Sequence, residues 1–371
     1  MKKINIVIIL FSLAFFIIGC NDNGLVIPDD CKHLEIVDGW VPIWCDEFNE
    51  DELNLEKWNV LDTGWGGGNN EAQYYSPKNI KVESGNLVIT AKKEDYQGKN
   101  YTSGRLHTQY KGDWLYGKII VRAKLPGGRG TWPAIWMLPS NNAYGTWPKS
   151  GEIDIVEYVG YDADTLYGTI HTEKFNHMKG TQLGNSLEYS GITTDFIEYS
   201  LIWTPGEIEL YVDDVRLSRF AYVPEFNQDA EPNQTWPFDQ PFHLILNLAI
   251  GGNLGGVRGI DPDIFPVSMY IDYVRVYQKD YAALDKTQPE AISEIRVSNK
   301  LKNMIYWKKP LDDQAIDYYE IYLDGILHDT TRLNAYVFKK LKVGNSYDVK
   351  ILAVDFSKRK SPAIEFELTY K

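Results

Sequence analysis

Short runs of alternating or branched apolar residues, parted by glycine and proline, constrain this chain more than any other feature. The runs Asn86 to Ala91, Gly117 to Ala123, Glu207 to Val212, His243 to Leu248 and Tyr270 to Val276 each have the length and period of a β-strand. No long amphipathic helix competes with them. Many short strands with turn residues between them make a sandwich or a barrel. The alternation lapses over 280–291 and resumes from Ile292. There Ile305 to Trp307, Tyr318 to Leu323 and Ser346 to Asp355 give a second all-β pattern of about eighty residues, the size of a small immunoglobulin-like sandwich.

The first residues stand apart from this pattern. Lys2 and Lys3 precede an apolar run from Ile4 to Ile18, the layout of a secretory signal. The run is short for a bilayer span. It ends in Gly19-Cys20, which resembles a bacterial lipobox. That resemblance implies cleavage before Cys20, lipidation of Cys20, and residence on a bacterial membrane, at the outer membrane or cell surface. The expected layout is a signal over 1–20, a tether over 21–34, a large domain over 35–279, a linker over 280–291 and a small module over 292–371. An exported chain permits disulfides. Cys31 and Cys45 are then either a clip on the N-terminal strand or two free thiols.

Charge narrows the partners. A net charge of −13 argues against nucleic acid and anionic membrane surfaces, which both demand a basic face. Membrane contact is expected through the lipid alone, and the default assembly is a monomer. The chain has 25 Tyr, 14 Phe and 11 Trp. Indole faces stack well on sugar rings, although cores also use tryptophan.

The run Gly151 to Tyr158 carries three acids, Glu152, Asp154 and Glu157, among branched apolar residues and without a Lys or Arg. In strict alternation Glu152 and Asp154 share a face and Glu157 points away. One extra residue near Ile155 or Val156, a β-bulge, returns Glu157 to that face. Clustered acids repel, so at least one proton is held or shared. Two carboxyls about 5–5.5 Å apart are the equipment of a retaining glycosidase, one as nucleophile and one as acid/base. Asp154 is placed to hydrogen-bond Glu152 and hold it ionised, while Glu157 keeps a raised pKa. The alternative is a solvated face of an edge strand.

Around these acids the chain resembles glycoside hydrolase family 16, and most closely its laminarinase and β-glucanase branch. The resemblance rests on Trp44 to Phe48, Asn69 to Tyr75, Tyr116 to Pro126, Gly130 to Pro139, the acid motif, His171, Tyr199 to Trp203, Leu246 to Asn253 and Ile271 to Tyr277, in that order. It implies a β-jelly roll with a concave sheet forming an open sugar cleft. Glu152 is implied as nucleophile, Glu157 as acid/base and Asp154 as supporting acid, with no cofactor for catalysis. Trp132 and Trp136 are expected to floor the cleft and His171 to bond near the acid/base. Asn69, Glu71, Trp147, Trp203 and Asn247 fall at cleft contacts, and Arg105 resembles a subsite arginine. Some members bind a structural calcium, for which Glu47, Asp272 and backbone oxygen near Gly85 are the matching ligands. The C-terminal module resembles a fibronectin type III module.

The implied activity is endo-acting, retaining hydrolysis of β-1,3 glucans of the laminarin type, extending to mixed-linkage β-1,3-1,4 glucans. Two alternatives remain at this point. One is hydrolysis of algal galactans, which would call for basic residues for sulfated sugars. The other is a non-catalytic glucan-binding lipoprotein, which would not need all three acids.

Overall fold

The computed structural model describes residues 24–370. The segment ending at Cys20 lies outside the described residues. Two large sheets, antiparallel but for one parallel pair at an edge of the first, form the first body. One holds strands Trp40–Asp46, Ile80–Glu83, Asn86–Tyr96, Gly117–Lys124, Ile197–Thr204, Glu207–Val212, Val215–Ala221 and Val267–Lys279, with smaller members at its edge. The other runs in spatial order Leu183–Glu188, Thr165–His171, Glu152–Tyr158, Thr131–Pro139, Phe242–Ile250, Arg105–His107 and Asn59–Val60. This is a jelly-roll sandwich.

The alternation seen in the sequence sorts residues between core and outer face. In strand Gly117–Lys124, Ile119, Val121 and Ala123 are buried while the residues between them are half-exposed. Strand Phe242–Ile250 is buried along its whole length. Its Leu244, Leu246 and Leu248 enter the core. Burying a side chain of that size contributes roughly 1.5–3 kcal/mol. Cys31 and Cys45 are joined in a disulfide, which ties the N-terminal turn to strand Trp40–Asp46. Of the two alternatives, the clip is the one formed.

A second, smaller sandwich follows, with a three-stranded sheet (Ser293–Val297, Met304–Lys308, Ala335–Val337) and a four-stranded one (Ile326–Thr331, Ile316–Leu323, Ser346–Asp355, Ile364–Thr369). Its core centres on Trp307, Tyr319, Ile321 and Ile351. The module is docked rather than loosely hung. Met304, Tyr306, Leu333, Ala335 and Val337 join the core of the large body. Gln228 bonds Tyr306 and the backbone of Asn299, and Lys309 donates to the carbonyl of Pro205 at 3.2 Å. Within the connecting segment a short helix, Tyr281–Leu284, stacks Tyr281 on Phe356 at 4.4 Å.

Candidate active site

Strand pairing places the three acids. On one side Glu152 pairs with His171, Asp154 with Thr169 and Glu157 with Tyr167. Three residue steps on the acid strand thus match two on its partner. On the other side Trp136 pairs with Asp154, and Ile135 with Val156. The extra residue therefore falls at Ile155-Val156, and both of those side chains are fully buried. Sending two consecutive residues to the core returns Glu157 to the face of Glu152 and Asp154.

The same face continues across the sheet through Trp132, Ala134 and Trp136, then Ile245, Asn247 and Ala249, then Arg105 and His107. Gly151 turns the chain into the acid strand with φ +90°. A Cβ there would press on Phe238 and Pro237 at 2.9 Å, so glycine suits both the backbone and the packing.

Each acid has a partner on this face. The Trp132 indole Nε1–H donates to Glu157 Oε1 at 3.0 Å. The Trp147 Nε1–H donates to Glu152 Oε2. His171 Nε2 lies 3.3 Å from Asp154 Oδ2. Burial pushes all three carboxyls above their ordinary range. Glu152 and Asp154 lie within hydrogen-bonding reach, and each other's charge adds to the rise at Glu152. At Asp154 the charge of Glu157 adds to it. Glu157 rises chiefly through desolvation, opposed by the Trp132 donor. Two buried acids in contact share a proton rather than both ionising, and Asp154 is placed to hydrogen-bond Glu152 as expected.

Most of the expected cleft residues come together. Trp136 donates to Asn247 Oδ1 at 2.7 Å, and the Arg105 guanidinium lies over the Trp136 ring at 4.8 Å. Trp147 is 36% exposed beside Glu152. His171 sits by Asp154 and opposite Glu152, and it is also near enough to Glu157 to act on that carboxyl's charge. Asn69 lies on a loop meeting Gly252 and Asn253, its carbonyl accepting from Asn253 N at 2.8 Å. Glu71 is buried beneath that loop, not solvated, and accepts from Gln73 and the Tyr75 hydroxyl at 2.6 and 2.7 Å. Tyr75 in turn reaches Asn247 at 3.4 Å. Gly67 covers the Glu71 carboxylate so closely that a Cβ would lie 1.9 Å from its Oε1.

Trp203 is elsewhere. It belongs to the opposite sheet, is 0% exposed, and packs edge-on against Tyr116 and Phe242. Its indole N–H is spent on the Phe238 carbonyl. It is a core residue, so the cleft contact expected of it is corrected.

The residues expected to hold calcium also lie off the acid-bearing sheet. Glu47 is paired two-pronged with Arg275 at 2.8 and 2.7 Å, and His33 lies 3.3 Å away. Asp272 pairs with Arg122. Gly85 turns between two strands beside Asn49. Both Glu47 oxygens are taken by Arg275, and among the described residues neither Glu47 nor Asp272 belongs to a group of three converging ligand side chains, so this donor set as arranged does not fit a calcium ion.

Other residues near the acids escape motif reading. The His177 ring lies tilted against Trp147 at 5.0 Å and edge-on to His171 at 5.1 Å. His107 and His243 lie 5.4 Å apart. With Arg105, Gln109, Asn142 and Trp147 they line a cavity of about 320 Å3 at one end of the cleft. Burial and the nearby Arg105 lower both imidazoles, to about 4 for His107 and about 3 for His243. They are neutral at physiological pH and suited to bonding hydroxyls. Strand parity could have found them, since 243, 245 and 247 share a face, as do 105 and 107. No such signal marks His177, which lies on a loop turn.

Comparison with known proteins agrees with this geometry. The family described as glycosyl hydrolases family 16 matches residues 68–309. The chain is 47% identical over 272 residues to a β-glucanase of Rhodothermus marinus, covering 72% of this chain and 93% of that protein. It is 39% identical over 257 residues to a glucan endo-1,3-β-glucosidase A1 of Niallia circulans, covering 64% of this chain but only 38% of that longer protein. Among solved structures, the laminarinase from Rhodothermus marinus superposes with a TM-score of 0.62 at 48% identity, over 64% of this chain and 97% of that one. The matched region contains the acid strand and its flanking sheet, and the chain belongs to glycosyl hydrolases family 16.

Proposed function

We propose that this protein is an endo-acting, retaining β-glucan hydrolase that cuts β-1,3 bonds in laminarin-type glucans and accepts mixed-linkage β-1,3-1,4 glucans. The observation that carries the reading is the bulged acid strand, which sets Glu152 and Glu157 on one face beside an indole-lined cleft. In the first displacement Glu152 attacks the anomeric carbon, the glycosidic bond breaks, and Glu157 gives its proton to the leaving oxygen. In the second, Glu157 takes a proton from water. The water oxygen attacks the anomeric carbon and the bond to Glu152 breaks. The raised pKa of Glu157 suits the acid role. The proton shared by Glu152 and Asp154 resides on Asp154 when Glu152 attacks, so that Asp154 donates a hydrogen bond to the nucleophile.

The residues around the acids support this division of labour. Trp147 orients Glu152, Trp132 orients Glu157, and Trp136 with Arg105 offers a flat surface for a sugar ring. The anchor and module readings belong here too. Lipidation at Cys20 would hold the enzyme on the outer membrane or cell surface as a monomer. The Cys31–Cys45 disulfide is in keeping with an oxidising compartment. The three- and four-stranded sheets of the small module suit a fibronectin type III assignment.

Reducing-sugar release and product sizing on laminarin, barley glucan, cellulose and agarose test the reading, with Glu152→Gln as control. Oligosaccharides of several lengths from laminarin, absent with the variant, are expected. Release from agarose alone would move the assignment to galactans, and binding of laminarin without release would make the protein a receptor.

A further inference from the structure

Where the linker meets the small sandwich, four aspartates converge from three separate segments. Asp285 follows the short helix Tyr281–Leu284. Asp312 and Asp313 lie in the loop between strands Met304–Lys308 and Ile316–Leu323. Asp355 ends strand Ser346–Asp355. Oxygens of Asp285, Asp312 and Asp313 lie within 4.8 Å of one another. Asp355 adjoins them, close enough to Asp285 for the two carboxyls to interact directly.

The cluster runs from the surface inward, with Asp313 exposed and Asp312 half-buried. Asp355 is 0% exposed and Asp285 is 6% exposed. Oδ2 of Asp285 and Oδ2 of Asp355 are buried and have no hydrogen-bond donor, while Asp355 Oδ1 accepts from Arg359 N at 2.8 Å and the Gln314 backbone N–H approaches the half-buried Asp312 carboxylate. Arg359 supplies one positive charge. Its Nη1 lies 2.7 Å from Asp285 Oδ1, out of line for a hydrogen bond, and its Nη2 donates to the Asp285 carbonyl at 3.3 Å. Asp313 is aimed by the linker itself, accepting from Lys286 N at 3.0 Å and from the Thr287 hydroxyl at 2.9 Å. Buried carboxylates without donors are strongly unfavourable unless protons or a cation answer them.

We propose that Asp285, Asp312, Asp313 and Asp355 form a calcium site that staples the linker to the C-terminal sandwich. All the ligands are hard carboxylate oxygens, as Ca2+ prefers, and they come from a loop, a helix end and a strand end. The ion would replace the missing donors and cancel the repulsion left over after Arg359. Because Asp285 directly follows the helix whose Tyr281 stacks on Phe356, calcium at this point fixes the direction in which the module leaves the catalytic body. The site is separate from Glu47 and Asp272, whose carboxylates are already paired with arginines.

The test is calorimetric titration of the EDTA-stripped full chain with calcium chloride, alongside thermal melts. Wild type is expected to bind calcium and to melt at least about 2 °C higher with it. Asp285→Asn and Asp312→Asn should each weaken one equivalent of binding by about 10-fold or more. Without calcium, Asp312→Asn should melt no lower than wild type, since it removes a repelling charge; a merely misfolded variant would melt lower in both conditions. Glu47→Gln should bind as wild type does. The proposal is overturned if wild type shows neither heat nor shift, if binding survives both asparagine variants, or if it is lost in Glu47→Gln instead.

Discussion

The molecule buries carboxylates in two places, and their surroundings differ. On the acid strand, Glu152, Asp154 and Glu157 each face a nitrogen-bearing ring: Trp147, His171 and Trp132. At the linker, Asp285 and Asp355 each leave a buried oxygen with no donor, against the guanidinium of Arg359. The first arrangement leaves protons to balance charge. It is what an acid/base reaction needs, because a proton can be given and recovered. The second offers oxygen ligands and little else, which suits an ion that stays. Burial raises the pKa of Asp312 and Asp355 as it raises those of the catalytic acids. The neighbours decide whether that strain serves chemistry or assembly.

The largest expected effect breaks the comparison at its catalytic end. Glu152→Gln keeps the shape and the Trp147 contact but removes the nucleophile. Turnover on laminarin should fall by about 10^4-fold or more, with calcium binding unchanged. Comparable turnover in the variant would mean that the acid strand is not the reacting site.

A smaller effect sharpens the role of the rings. In Trp132→Phe the donor to Glu157 is lost while the apolar surface remains. That donor lowers the Glu157 pKa against the rise from burial. Removing it should move the alkaline limb of the kcat profile upward by roughly 0.5–1 pH unit, about 1 kcal/mol. An alkaline limb that does not move would show that Trp132 packs beside Glu157 without tuning it.

The two clusters also differ in how legible they are in sequence. The catalytic acids are contiguous, and their spacing disclosed both the shared face and the bulge at Ile155-Val156. Strand periodicity carries that information locally. Trp132 and Trp136 were legible for the same reason. Asn247 and Trp203 came from the family resemblance alone, and Trp203 misled because the resemblance does not say which of two sheets faces the cleft at that position. The linker aspartates were not legible at all. Asp285, Asp312 and Asp355 are far apart in sequence and lack a ligand spacing, so only the folded chain brings them together. The disulfide lay between these cases: the compartment allowed it, but two cysteines do not reveal whether their Cα atoms approach to 5.8 Å.

Stability should separate the clusters by the smallest effect, and by its sign. Asp154 is 3% exposed, and its folded pKa is well above its unfolded value. A carboxyl shifted this way favours folding fully only below its unfolded pKa, and that contribution is lost as pH rises through the folded value. Asp154→Asn carries no such penalty and can still donate to Glu152. It should therefore be more stable than wild type at pH 8 by roughly 1–2 kcal/mol, with the gain disappearing below about pH 4. Calcium should leave this gain untouched, because a proton shared with Glu152 balances the charge of Asp154. Asp312→Asn should behave oppositely, at least as stable as wild type in EDTA and less stable in calcium. Melts of both variants at pH 8, with and without calcium chloride, decide the matter. If Asp154→Asn also loses its advantage in calcium, the catalytic cluster binds the ion as well, and the division between a proton-balanced and a metal-balanced cluster fails.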